Sequence, residues 1–193
     1  MKFDGFVNID VRKTEATDVV HDCSNLSIFP DESAILVFSH AFFEHLYRGQ
    51  HVPLMADIRR VLHTDGCVFF CGIPDFEVIA RAYLERAPGN VSAVFDLFEV
   101  YRYTHGDPEQ RPEWWLAQLH KTLFDAQELR VQLREAGFAA PRIFRYAYHS
   151  EPNPVNLGFV AMKNNQPVSD EFTRAIVNMF SPIYGTNPIA ILP

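Results

Sequence analysis

Apolar residues in this chain follow two spacings, short unbroken runs and a three-to-four-residue recurrence, and their order predicts the elements. Phe6 to Val11 (FVNIDV) is a β-branched and aromatic run closing on an acid, and Asp18 to Asp22 (DVVHD) repeats that shape. Both predict buried parallel strands. After the turn-rich stretch Ser24 to Ser33, Ala34 to Ser39 (AILVFS) is apolar without alternation, as in a strand covered on both faces. From Pro53 the positions Leu54, Met55, Ile58, Val61 and Leu62 recur at helical spacing, with Pro53 in the first turn and Gly66 past the end. Cys67 to Ile73 (CVFFCGI) is a fourth strand, and Pro74-Asp75 stops it and caps a helix carrying Val78, Ile79, Ala82 and Leu84. Alternating strands and helices predict a doubly wound α/β sheet.

Residues 90–122 break that rhythm. They hold both tryptophans and a loop, HGDPEQRP, rich in turn formers, and predict a helical insertion. Asp125 with Glu128 three residues later starts the next helix in the manner of a capping box, and Gly137 ends it. Arg142 to Tyr148 and Asn156 to Lys163 are β-rich runs that suit an antiparallel pair at a sheet edge. Glu171 to Phe180 has helical spacing again, and Ile189 to Leu192 (IAIL) has the composition of a strand. The expected organisation is one domain over 1–163 and a tail, 164–193, packed on that domain or on a partner.

Composition narrows the function. A length of 193 residues with 48% apolar and 21% charged residues suits one globular core and excludes disorder. Seventeen basic against 24 acidic residues give a net charge of −7, so nothing draws the chain to phosphate backbones or anionic lipid. Nucleic acid and membrane are not expected partners. No apolar run reaches the roughly 18–20 residues of a bilayer span, and Met1 to Asp10 lacks a secretory pattern, so a cytoplasmic protein is expected. Within one strand Cys67 and Cys71 stand roughly 13 Å apart, too far to pair, and are expected as reduced thiols.

The ordered set FVNIDV, DVVHD, SIFPDESAILVFSHAFFEHL, MADIRRVLHTDGCVFFCGIPD and HKTLFDAQELRVQLREAGF resembles class I methyltransferases that use S-adenosylmethionine, over residues 6–138. It is most similar to a small bacterial branch in which an acid ends the second strand and an EHL-type tripeptide follows the fourth. The resemblance implies a three-layer α/β sandwich, with a mostly parallel sheet and an antiparallel C-terminal hairpin. It also implies S-adenosylmethionine as cofactor and a small-molecule or saccharide-like acceptor. In that family a Gly-rich loop, typically GxGxG, follows a first strand at the middle of the sheet. The nine glycines here include no GxG, and that first strand is not found in this sequence. The second and fourth strands pairing directly, a partner chain as in a homodimer, or the tail are the ways to close such a gap. The alternative function is a methyltransferase fold that has lost cofactor binding and serves as an interaction or regulatory module.

The resemblance also assigns residues. Asp10, at a strand's carboxyl end where open α/β sheets bind ligands, is placed on the ribose hydroxyls; a turn-capping aspartate is the competing reading. Asp22 and the amide of Cys23 are placed at the adenine, again against a turn role. Ser39 and His40 follow the third run, Ser39 on the cofactor and His40 as a base where the acceptor needs one, or as a partner of a backbone carbonyl. Glu44 and His45 match the EH of the tripeptide, and His45 joins His40 as a catalytic candidate. Some relatives hold a divalent metal with such a pair, but Ala41 stands where those carry an acid. No metal is therefore expected, and Glu44 and His45 are expected to start a helix. Tyr103, His105, Trp114 and His120 are the candidate acceptor-binding residues, with packing as the competing role.

Overall fold

The computed structural model describes residues 5–86, 95–106, 118–149, 151, 153–184 and 188–193. Two short strands, β1 (Ile9–Asp10) and β2 (Val19–Val20), pair in parallel as a sheet of their own. The main sheet has five strands: β3 (Ala34–His40), β4 (Leu62–Pro74), β5 (Arg142–Tyr146), β6 (Asn156–Met162) and β7 (Ala190–Ile191), in the order β3-β4-β6-β5-β7. β3 and β4 run parallel, and every later pairing is antiparallel. This is the mixed α/β architecture expected, with parallel pairs in the N-terminal half and antiparallel strands in the C-terminal half.

The helices are α1 (Arg48–Val61), α2 (Phe76–Leu84), α3 (Leu97–His105), α4 (Ala126–Glu135), α5 (Asp170–Met179) and α6 (Ser181–Tyr184). Side chains alternate across the sheet with period two, as the pleat requires. Val68, Phe70, Phe159 and Ala161 face α1 and α4, whose Leu54, Met55, Ile58, Leu129 and Leu133 fill that side. Cys67, Phe69, Cys71 and Val160 face the other way, onto Ile176 and Val177 of α5 and onto Phe180. Three layers result. The second face is covered by a helix of the tail: Phe180 stacks on Phe38 at 4.0 Å and lies 5.4 Å from Phe69.

Several boundaries differ from the pattern. α1 begins at Arg48, earlier than Pro53 suggested, because Tyr47 and Gln50 supply a capping box; Pro53 sits inside the helix. β4 begins at Leu62, so Gly66 lies within the strand and not beyond a helix. A Cβ at Gly66 would come 2.8 Å from the Ile35 carbonyl, which explains why the smallest residue stands there. Only two residues of each early apolar run make ladder bonds. β1 and β3 belong to separate sheets, so these two strands do not pair directly. β7 pairs with β5 at the opposite edge from β3, so the tail strand does not fill the space beside β3.

Arg60 of α1 fixes the loop after β2. Its guanidinium donates to the carbonyls of Leu26 (3.0 Å) and Phe29 (2.9 Å) and to the carboxylates of Asp31 and Asp57 (both 2.7 Å). Asp57 in turn accepts the Leu26 amide at 2.5 Å. These bonds hold the loop that follows β2 against the helix that covers the main sheet.

Candidate functional site

The carboxyl ends of the parallel strands carry the candidate chemistry. Asp10 ends β1 and accepts the Arg12 amide at 2.8 Å, and the Arg12 guanidinium lies 3.9 Å away. Asp22, just past β2, accepts the Ser24 amide at 2.9 Å, and the Ser24 amide and hydroxyl together hold its carboxyl below the usual range. Both acids therefore make the local turn contacts that short carboxylates favour. They also share a neighbour: burial, then the charges of Asp10 and Asp22, push the Cys23 thiol up to about 11. A protonated, half-buried Cys23 is no nucleophile at neutral pH. The structure brings Asp10, Asp22 and Cys23 together at one rim.

Ser39 and His40 close β3, in register with Phe70 and Cys71 of β4. His40 turns beside Tyr148, with ring centroids 5.7 Å apart, and beside Gly72. Gly72 has φ +80°, and a Cβ there would come 2.7 Å from the Ala41 nitrogen and 3.1 Å from the His40 ring. Only glycine accommodates both the backbone conformation and that approach. Burial, then the nearby His149, push His40 down to about 4.

The pH dependence follows from that shift. The folded chain keeps His40 neutral down to about pH 4, whereas an unfolded histidine takes its proton near 6.5. The unfolded state binds more protons in that window, so stability falls as pH drops from about 6.5 to 4. The loss from His40 reaches about 3 kcal/mol. Urea midpoints at pH 7 and pH 4.5 check this: the wild type loses stability on acidification, and His40→Gln loses measurably less.

Ala41, with φ +49°, turns the chain out of β3. A 3-10 turn, Phe43–His45, follows, so Glu44 and His45 do not start the long helix as expected. Phe43 anchors this turn in the core against Phe124 (5.2 Å) and His51 (4.4 Å). Glu44 is 2% exposed and His45 is 13% exposed on their side chains, 3.6 Å apart from Oε1 to Nε2. Burial pushes the Glu44 carboxyl up to about 8 and the His45 imidazole down to about 4. The irregular segment at the end of the insertion reaches back to this turn: the Lys121 and Thr122 amides donate to the Glu44 carbonyl at 2.8 and 3.3 Å.

That segment carries His120 to within 5.1 Å of His45, ring to ring. His120 meets α3 as well, its Nδ1 lying 2.8 Å from the Tyr103 carbonyl and its amide 3.1 Å from the His105 carbonyl. Tyr103, His105, His120 and His45 therefore form a second group. Tyr103 is buried against Phe95 and donates its hydroxyl to Glu151 at 2.5 Å, which with burial pushes the phenol well up. His105 is exposed and stacks on Tyr101 at 5.3 Å. Trp114 lies outside the described residues.

Sequence reasoning passed over Glu151, which also accepts the Tyr148 amide and the Asn156 side chain. It lies in a Pro-containing linker that gave no signal beyond a turn. Asp75 was read only as a helix cap; it is fully buried and also binds Arg145. An open depression of about 510 Å³, lined by Asp31, Glu32, Ala56, Arg59, Arg60 and Lys163, lies at the opposite end of the sheet from all these groups. It is mixed in charge and shares no residue with the candidate site.

None of the described helices is long and apolar enough to cross a membrane. No family model matches the chain, and no curated protein matches it. Solved structures do. A methyltransferase from Archaeoglobus fulgidus that uses S-adenosylmethionine is 13% identical, with a TM-score of 0.53, covering 80% of this chain and 74% of its own. Another from Methanosarcina mazei is 15% identical with a TM-score of 0.50, covering 82% and 81%. One from Thermotoga maritima is 16% identical at 0.48, and this chain spans only 65% of its length. With its parallel strands leading into antiparallel ones and helices on both faces, the chain has the fold of class I S-adenosylmethionine-dependent methyltransferases.

Proposed function

We propose that the chain serves methyl transfer from S-adenosylmethionine to a small-molecule or saccharide-like acceptor. The observation that carries this reading is the meeting of Asp10, Asp22 and Cys23 at the carboxyl rim of β1 and β2, in a fold of the methyltransferase type. Asp10 suits the ribose, because a carboxylate accepts from two neighbouring hydroxyls at once. Asp22, held ionised by Ser24, and the amide of Cys23 suit the adenine edge. The bound cofactor supplies an electrophilic methyl group. Displacement at such a carbon demands alignment more than acid–base help. Ser39 then borders the cofactor, and neutral His40 and His45 supply lone pairs where an acceptor hydroxyl or amine must lose its proton. His105 and His120 face the acceptor, with the Tyr103 carbonyl orienting the His120 ring and the His120 amide bonded to the His105 carbonyl.

Calorimetric titration with S-adenosylhomocysteine tests the proposal. Saturable heat is expected, and Asp10→Ala weakens binding about ten- to hundredfold, the loss of charge-assisted hydrogen bonds. Absence of heat at millimolar ligand with the folded chain contradicts the proposal and favours a fold used as an interaction module. Unchanged affinity in Asp10→Ala removes that residue from the site.

A further inference from the structure

We infer that Glu44, His45 and His120 form a binding site for a divalent transition-metal ion of the zinc class. Their ligand atoms lie within 4.8 Å of one another. The inference stands on this geometry; a metal held there takes the Nε2 lone pair of His45 and leaves His40 as the base of the proposed methyl transfer.

Proton placement makes the case. His45 Nδ1 lies 3.4 Å from the Leu119 carbonyl and His120 Nδ1 lies 2.8 Å from the Tyr103 carbonyl. A carbonyl only accepts, so at His120 the proton sits on Nδ1 and the lone pair on Nε2, and the Leu119 carbonyl favours the same tautomer at His45. Histidines that bind metals are oriented by such backbone carbonyls on the far nitrogen. The Ala41 carbonyl also borders the His45 ring. The Nε2 lone pair of His45 meets Glu44 Oε1 at 3.6 Å, two electron-rich atoms facing each other. Glu44 Oε2, fully buried, has no hydrogen-bond partner among the described residues. The Glu44 and Phe42 amides are the carboxyl's backbone partners, and a buried carboxyl oxygen left outside them is costly unless a proton or a metal cation compensates it.

Two cations are available, a proton or a metal, and the distances decide between them. A proton shared by Glu44 and His45 draws the heavy atoms to about 2.7–3.0 Å. Two ligands on a tetrahedral ion with bonds of about 2.0–2.1 Å stand about 3.3 Å apart, close to the 3.6 Å between Glu44 and His45, and His120 closes on the ion from within 4.8 Å of both. One proton also satisfies only one histidine, whereas a metal engages all three groups. Two imidazoles and a carboxylate are the donor set of a zinc site with an open fourth position, and nitrogen donors disfavour magnesium and calcium. The expectation of no metal rested on Ala41; the third ligand comes instead from His120, at the end of the insertion. Lys121 keeps its ammonium on the His45 carbonyl at 2.8 Å, outside the donor set.

The test strips the protein with chelator, dialyses it, and titrates it with Co2+ and Zn2+, following the visible ligand-field bands of Co2+ and competition with a chromophoric chelator. A single equivalent is expected, displaced by Zn2+ and unaffected by millimolar Mg2+. Glu44→Gln, His45→Gln and His120→Gln each weaken Zn2+ binding at least tenfold, while His63→Gln, at an exposed site, does not. His120→Gln carries the comparison because His120 is only half-buried, and its thermal melt verifies folding. No stoichiometric binding to the folded wild type overturns the site. So does unchanged affinity in folded His120→Gln. Neither result depends on whether S-adenosylhomocysteine binds.

Discussion

Asp75→Ala is expected to destabilise the protein by about 3–5 kcal/mol, the cost of breaking a buried ion pair from one side. Asp75 ends up fully buried at the junction of β4 and α2. Its carboxylate caps α2 through the Glu77 amide at 3.0 Å and takes the Arg145 guanidinium at 2.5 Å. Its own amide donates to the Val155 carbonyl at 2.8 Å, and the next amide donates to Phe124. Burial pushes the carboxyl up, and Arg145 works against that shift. Alanine removes the cap and strands a guanidinium that is 20% exposed, with only the surface acid Glu77 left to it. Urea denaturation measures the loss. Asp75→Ala with Arg145→Met should recover a substantial part of it, because an apolar pair leaves no charge uncompensated. Equal stability of Asp75→Ala and wild type, or no recovery in the double variant, contradicts this role.

Gly158→Ala is expected to cost on the order of 3 kcal/mol although it adds one methyl group. Gly158 lies in β6 opposite Phe144 of β5, and the Phe144 ring folds across it. A Cβ there would stand 2.3 Å from Cζ and 2.7 Å from Cε2 of that ring. Phe144 has no exposed surface and is held by Phe69 at 6.1 Å and Tyr146 at 5.9 Å, so it has little room to move. Phe144→Leu in the same chain should restore part of the stability, since a shorter side chain clears the methyl group. Additive losses in that pair contradict the account.

Legibility in the sequence followed how local the controlling physics is. Capping by Asp75, Asp96, Asp125 and Ser169 depends on neighbours within three residues, and the sequence signalled the first and third of these clearly. β3 and β4 were legible because buried parallel strands leave unbroken apolar runs. The start of α1 was not, because Pro53 draws attention while the Tyr47–Gln50 box carries no apolar signal. Gly158 gave no signal either, since its reason is a ring from another strand. At the candidate site the rim acids Asp10 and Asp22 were readable from strand ends. The convergence of Glu44 and His45 with His120 was not, because α1, β4, α2 and most of the insertion lie between them in sequence and the return of Lys121 and Thr122 to the Glu44 carbonyl closes the distance. Glu151 was missed for the same reason, as its partner Tyr103 lies on α3.

The account rests on a nucleoside pocket at the carboxyl ends of β1, β2 and β3. Backbone amide chemical shifts recorded while S-adenosylhomocysteine is added report where the ligand sits without requiring turnover. The account predicts the largest changes at 10–12, 22–24 and 39–41. Changes confined to the depression around Asp31, Arg59 and Lys163, or none at saturating ligand, contradict it.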